Sequence, residues 1–191
     1  MTALTRWLKV LNAELDHTSD RSCAIVAASI IETLLVDLLR ACLVALPSTR
    51  DEFFDGTSAP VGTFSARIDL AYRLGLISAQ MTRDLHIIRR IRNDFAHTVE
   101  GPSFSEGRIN SQVNELLRSL RLKERARFLL NPPYDTPRGH FMMCALMYIM
   151  FFDERLQSGP KHITAAPLDY IYTTAITEGE KKEVTNGGPE L

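Results

Sequence analysis

Apolar residues recur every three to four positions along much of the chain, a spacing that predicts amphipathic helices. The segments with this spacing are 2–16, 64–74, 78–98 and 110–130. The segment 21–46 differs, because it is apolar on almost every side, contains no Gly or Pro and ends at Pro47. A helix of this kind lies at the centre of a bundle or is shared between subunits.

A last major helix is predicted from Pro137 to about Leu156, with Thr136 as its N-cap. No segment alternates between apolar and polar residues over the length of a strand. We therefore predict an all-α fold, a compact bundle of about five to seven helices around the long central apolar helix.

The chain of 191 residues has the length of one domain. After Gly159 and Pro160 the apolar pattern weakens, and the last fifteen residues, TEGEKKEVTNGGPEL, are polar. We predict a single helical domain over 1–160, a weakly structured extension over 161–176 and a disordered tail over 177–191.

The composition narrows the possible functions. The net charge of −1 excludes a protein that coats nucleic acid through its overall charge. The three cysteines, Cys23, Cys42 and Cys144, lack C-x-x-C spacing, so we expect buried reduced thiols rather than disulfides or a zinc site. The five histidines show no metal-ligand spacing, and the common nucleotide-binding and hydrolase motifs are missing, so we predict no metal and no cofactor.

The N-terminal segment has no apolar core of the kind that signal peptides contain, because Arg6 and Lys9 interrupt it. The longest uninterrupted apolar run, 141–152, has twelve residues, whereas a membrane span needs about 20. We expect a cytoplasmic protein that is not inserted in a membrane.

The segment 84–97 carries the strongest candidate site. On a helical wheel its apolar residues share one face, the opposite face carries polar and charged residues, and Arg92 lies at the edge between them. One interpretation is a solvated face in which Arg90 pairs with Asp94 and Arg92 is buried against a carboxylate, for which Glu32 is the candidate. The other is an anion-binding or partner-binding site. Its candidate residues are His86, Arg90, Arg92, Asn93 and His97.

A second basic stretch ends the predicted helix 110–130. Its five cations are Arg118, Arg121, Lys123, Arg125 and Arg127. They either contact phosphates or form a solvated helix end, where positive charge complements the helix dipole.

Three segments together resemble the mannitol operon repressor family. They are Ser19-Asp20-Arg21 leading into AIVAASIIETLLVDLLRA, then GTFSARIDLAYRLGLIS at 62–78, and DLHIIRRIRNDFAH at 84–97. The resemblance implies an all-helical, bacterial, cytoplasmic regulator of transcription. Members of that family lack a recognisable DNA-binding motif, so it also implies action through a protein partner rather than direct binding to DNA. The apolar helices lead us to expect a homodimer.

A shorter pattern, Arg92-Asn93-x-x-x-His97, resembles the R-x4–6-H motif of HEPN domains, many of which are metal-independent ribonucleases. The resemblance implies RNA as a substrate, His97 as general acid or base, Arg92 as stabiliser of phosphate charge and Asn93 as the residue that orients the site. On an ideal helix Arg92 and His97 lie about 140° apart. They would converge only if the helix ends near residue 95 or if a second copy completes the site.

Overall fold

The computed structural model describes residues 5, 7, 9–13, 19–44, 51–98, 102–125, 131–132 and 134–159. Its helices are α1 (Asp20–Cys42), α2 (Phe64–Arg73), α3 (Ala79–His97), α4 (Gly107–Ser119), α5 (Leu122–Arg125) and α6 (Pro137–Ser158), and residues 9–13 are also helical. Within these ranges there is no strand. The predicted all-α bundle with a long apolar helix is confirmed.

Side-chain caps explain where four of the helices begin. Each cap accepts a hydrogen bond from the backbone N–H three residues further on, which satisfies one of the free donors of the first turn. The capping residues are Ser19, Thr63, Ser78 and Thr136. The predicted starts of α2, α3 and α6 therefore agree with the structure to within one residue.

Helices α1 and α6 run parallel at the centre of the bundle. Near their N-termini Arg138 pairs with Asp20 at 3.5 Å, and Cys23 Sγ lies 3.1 Å from Met142 Sδ. Every residue of 141–152 except Met150 is buried. This apolar run of α6 thus forms the core, as a short buried helix would.

Helix α3 runs antiparallel to α1 and closes the core on another side. Phe95 on α3 packs on Phe104, with ring centroids 4.7 Å apart, and Phe104 stacks on Phe141 of α6 at 4.9 Å. The Arg21 guanidinium of α1 donates to the Thr98 carbonyl at 2.5 Å, just beyond the end of α3. These contacts fix the register of α3 against the central pair.

Among the described residues, α1 alone is long and apolar enough to cross a membrane, by length and composition only, with a mean hydropathy of 2.0. Half of that apolar window is buried inside the bundle. The central helix of a water-soluble bundle has the same length and composition.

Two expectations about local structure are wrong. The predicted helix 110–130 is divided, because α4 ends at Ser119 and Arg121 adopts a positive φ of 51° before α5. The break allows Leu120 and Leu122, which flank it, to be buried together. Cys42 is exposed because it is the last residue of α1, whereas Cys23 and Cys144 are buried as predicted.

Other predictions fall outside the described residues. They concern the extension 161–176, the tail 177–191 and the end of the basic stretch at Arg127. The predicted end of α1 at Leu46 also lies outside, although the helix itself already ends at Cys42.

Candidate functional site

The five candidate residues of α3 divide into two groups. Arg90 and His97 are exposed on the outer side of the helix, and His86 is half-buried beside α2. Arg92 is turned inward, toward α1, and Asn93 lies between the two groups. The structure therefore places Arg92 apart from the exposed Arg90 and His97.

Glu32 is the centre of a cluster with Arg67 and Arg92, which we call the inner group. Its Oε1 atom lies 2.5 Å from Arg67 Nη1, and its Oε2 atom lies 3.6 Å from Arg92 Nη2. The Arg92–Glu32 pair expected from the sequence is present. Arg67 was not among the predicted residues, although its position one turn into α2 in the segment GTFSARIDLAYRLGLIS was the available signal.

The inner group connects four parts of the chain. Besides Glu32, Arg67 binds the Val61 carbonyl through Nε at 3.1 Å and the Phe54 carbonyl through Nη2 at 3.3 Å. The side chains of Glu32 and Arg67 are only 17% and 16% exposed. Arg67 and Glu32 therefore hold the loop before α2 against α1, while Arg92 adds α3.

Arg92 is also bound by its neighbour, since its Nη1 donates to Asn93 Oδ1 at 3.0 Å. The guanidinium consequently has a carboxylate and an amide oxygen as partners. Two arginines share the single Glu32 carboxylate, which leaves one excess positive charge in a partly buried setting.

His97 does not meet Arg92. Helix α3 continues through His97, so the early end near residue 95 that would have let the two converge is not observed. They remain about 140° apart around the helix. Arg92 and His97 share no hydrogen bond in the structure, since the partners of Arg92 are Glu32 and Asn93.

The predicted pair between Arg90 and Asp94 is wrong. Asp94 instead pairs with Arg108 from the first turn of α4, which approaches α3 from the side. Arg90 remains exposed. His86 of α3 contacts α2, with its Nε2 atom 3.1 Å from Asp69 Oδ1. These two contacts fasten α3 to α2 and to α4.

A buried carboxyl group that the sequence did not single out joins three helices. Asp84 of α3 is fully buried, and its Oδ2 atom accepts hydrogen bonds from Ser119 and, at 2.7 Å, from the Tyr148 hydroxyl. Burial raises the pKa of Asp84, against the opposing effect of those hydrogen bonds. Its position on the apolar face of α3, four residues before Ile88, was the available signal.

Cys144 and Tyr148, which surround Asp84, are also buried. Burial, together with the charge of Asp84, raises the pKa of the Cys144 thiol and of the Tyr148 hydroxyl. Arg83 Nε approaches Asp84 Oδ1 at 3.6 Å from the exposed side. The hydrogen bonds of this fully buried carboxyl join α3 to α4 and α6.

Two neighbouring grooves run along the outer face of α1. The first, of about 320 Å³, is almost entirely apolar and is lined by Trp7, Ile25, Val26, Ser29, Ile30, Thr33 and Leu34. The second, of about 380 Å³, continues from Ser29 and Thr33 toward Arg40 and is mostly polar, with Glu32 and Arg67 in its wall. Nowhere in the described ranges do three potential metal-binding side chains of His, Cys, Asp or Glu cluster.

Comparison with protein-family models, with curated proteins and with solved structures finds no match to this chain. The resemblances to the mannitol operon repressor family and to HEPN domains therefore remain hypotheses that rest on the quoted residues.

Proposed function

We propose that this chain is a cytoplasmic regulator of transcription, similar to the mannitol operon repressor family, that acts through contacts with other proteins. In this proposal it has no DNA-reading helix of its own. The observation that carries it is the apolar groove along the outer face of α1.

The groove has the properties of a protein-contact surface. Ile25, Val26 and Ile30 are only half-buried, and they lie beside the half-buried ring of Trp7. The helix that carries them has a mean hydropathy of 2.0 over its most apolar window, half of which is buried inside the bundle. A groove lined by partly exposed apolar side chains is typical of a site for a helix from another chain.

A second copy of the chain is the occupant we propose for the groove. Ser29 and Thr33, about one turn apart on α1, are exposed and carry small side chains beside the half-buried Ile30, so an identical helix is able to approach closely there. A homodimer through α1 leaves the outer faces of α2, α3 and α4 open to a different partner.

The surroundings of Arg92 also favour a binding protein over an enzyme. Its guanidinium is held by Glu32 and Asn93, and His97 lies on a different side of α3. In this proposal Arg92 is a structural residue that positions α3 against α1.

Ile30→Glu tests the proposal, because it places a charge in the groove without removing a core residue. Sedimentation should show wild type as a dimer and Ile30→Glu as a folded monomer. Asn114→Glu, at an exposed position of α4, is the matched control and should remain a dimer. In the native host, deletion of the gene should change transcript levels. Wild type and Asn114→Glu should restore these levels, and Ile30→Glu should not. Restoration by Ile30→Glu, or an unchanged transcriptome after deletion, contradicts the proposal.

A HEPN-type ribonuclease is the second candidate, favoured by the exposure of His97 in the last turn of α3. The site would need Arg92 from one copy and His97 from another. Wild type should then cleave RNA in EDTA and leave 2′,3′-cyclic phosphate ends, whereas folded His97→Ala should not. Absence of cleavage by wild-type dimer over a range of RNAs contradicts this candidate.

A further inference from the structure

Arginines gather at the end of the bundle where α4 finishes and α3 begins. Arg83 Nη2 donates to the Ser119 hydroxyl at 3.2 Å, and Gln80 Nε2 donates to the Ser119 carbonyl at 2.8 Å. These two bonds place the last turn of α4, with Arg118, beside the first turns of α3. Arg121 follows at the corner where the chain leaves α4, and it is 59% exposed.

Helix α2 brings an aromatic ring and another arginine to the same end. The contact between Asp69 and His86 fixes α2 antiparallel to α3. Tyr72 is three residues after Asp69 on α2, and Arg83 is three residues before His86 on α3. Because the two helices are antiparallel, Tyr72 and Arg83 lie at the same level. Arg73 is its exposed neighbour. We call Tyr72, Arg73, Arg83, Arg118 and Arg121 the terminal basic surface.

The charge of this surface is positive although the whole chain carries −1. The segments 72–83 and 116–121, which supply all five residues, contain no carboxylate. Of the acidic residues that follow or precede them, Asp84 is fully buried, Glu115 is half-buried, and Asp69, which is 61% exposed, contacts His86. Glu124 pairs with Arg121 at 2.8 Å. An anionic ligand therefore meets an excess of guanidinium groups here.

We propose that the terminal basic surface binds the phosphate backbone of a single-stranded nucleic acid and that Tyr72 stacks on one of its bases. All four cations are arginines, whose planar forks suit phosphate better than lysine does. Tyr72 is 46% exposed, and the other large apolar side chains exposed among the described residues lie outside α2, α3 and α4. A lone exposed aromatic ring beside arginines suits base stacking rather than insertion into lipid.

The architecture favours a single strand over a duplex. Helix α3 packs against α1, α2 and α4, and its first turns are hydrogen-bonded to the last residue of α4. The major groove of DNA is about 12 Å wide and admits one protruding helix. A shallow basic surface with a stacking ring instead follows a flexible strand. This inference goes beyond the proposed regulatory function and does not depend on the groove of α1.

The test measures binding of the full chain to a fluorescein-labelled 20-nucleotide RNA of mixed sequence, with the same sequence as single-stranded DNA and as duplex DNA. Three neutralised phosphates, one for each arginine of the surface other than Arg121, predict that the dissociation constant rises roughly twentyfold between 50 and 200 mM salt. Arg73→Glu should weaken binding at least about tenfold, because it replaces attraction by repulsion. Tyr72→Ala should weaken it about fivefold or more, and Tyr72→Phe should not.

Lys9→Glu is the matched control, since it reverses one exposed charge on the N-terminal helical segment. All variants are first shown to have the helical circular dichroism of wild type. A preference for RNA over single-stranded DNA would indicate a contact with the 2′-hydroxyl, and equal binding would indicate the shared backbone. The proposal is overturned if neither single strand binds at 50 mM salt, if the duplex binds as tightly, or if Lys9→Glu costs as much as Arg73→Glu.

Discussion

Arg67 Nη1 lies 2.5 Å from Glu32 Oε1 and so ties α2 to the central helix α1. The same carboxylate contacts Arg92 of α3 through its other oxygen. Three helices of the bundle thus share one acidic side chain, and its loss leaves two partly buried guanidinium groups without a counter-charge.

We predict that Glu32→Gln lowers the free energy of unfolding by about 2 kcal/mol. The loss is smaller than for a fully buried triad, because water reaches part of the triad formed by Arg67, Glu32 and Arg92. Asp37→Asn, five residues further along α1 and exposed, is the control and should change stability by less than about 0.5 kcal/mol. Urea unfolding followed by circular dichroism measures both. Equal stability of Glu32→Gln and wild type would mean that the triad is only a surface contact.

The buried carboxyl of Asp84 predicts a pH dependence of opposite sign to that of a salt-bridged carboxylate. Its pKa is raised in the folded state by burial, so the folded chain holds this proton more tightly than the unfolded chain does. Its contribution to stability is therefore complete below the ordinary aspartate pKa of about 4 and is lost as the pH rises through the raised folded value.

Asp84→Asn isolates that contribution, because the amide oxygen still accepts from Tyr148 and Ser119 but does not ionise. We predict that the stability of wild type relative to Asp84→Asn falls as the pH rises from about 4. Urea unfolding of both proteins at a series of pH values measures the difference. A difference that is constant with pH, or that grows in favour of wild type, would show that Asp84 is ionised without penalty.

The sequence predicted most of the fold because each helix carries its own local signals. Thr136 caps α6 as predicted, Ser78 caps α3 at the predicted start of that helix, and every residue of the apolar run 141–152 except Met150 is buried. The break at Arg121 was missed because it depends on tertiary packing. It lets Leu120 and Leu122 enter the core together, an effect that helix periodicity does not report.

The candidate site was predicted less well, because partners come from other elements. The wheel placed Arg92 at the edge of the apolar face, which agrees with its contact to Glu32. It also suggested Asp94 as the partner of Arg90, whereas α4 delivers Arg108 to that carboxylate. Pairings within one helix are visible in a sequence, but competition from a neighbouring helix is not.

Gly139 is required by a close approach of backbone. A Cβ atom at this position would lie 2.5 Å from the Tyr134 carbonyl oxygen and 2.6 Å from its Cα. We predict that Gly139→Ala destabilises the protein by about 2 kcal/mol, because the first turn of α6 must move away from the preceding turn. Helix propensity alone predicts stabilisation by about 1 kcal/mol, so the sign of the change in urea or thermal unfolding decides between the two effects.

Arg121 is the one described residue other than glycine that has a positive φ, at 51°. The left-handed conformation costs a side-chain-bearing residue roughly 1 kcal/mol, a cost that glycine does not incur. We therefore predict that Arg121→Gly is more stable than Arg121→Ala by about that amount, since both lose the 2.8 Å contact with Glu124 and only alanine keeps the strain. Thermal unfolding of the two variants measures the difference. Equal stability would mean that the corner between α4 and α5 relaxes without cost, and Arg121→Ala being the more stable would mean that the corner is not left-handed in solution.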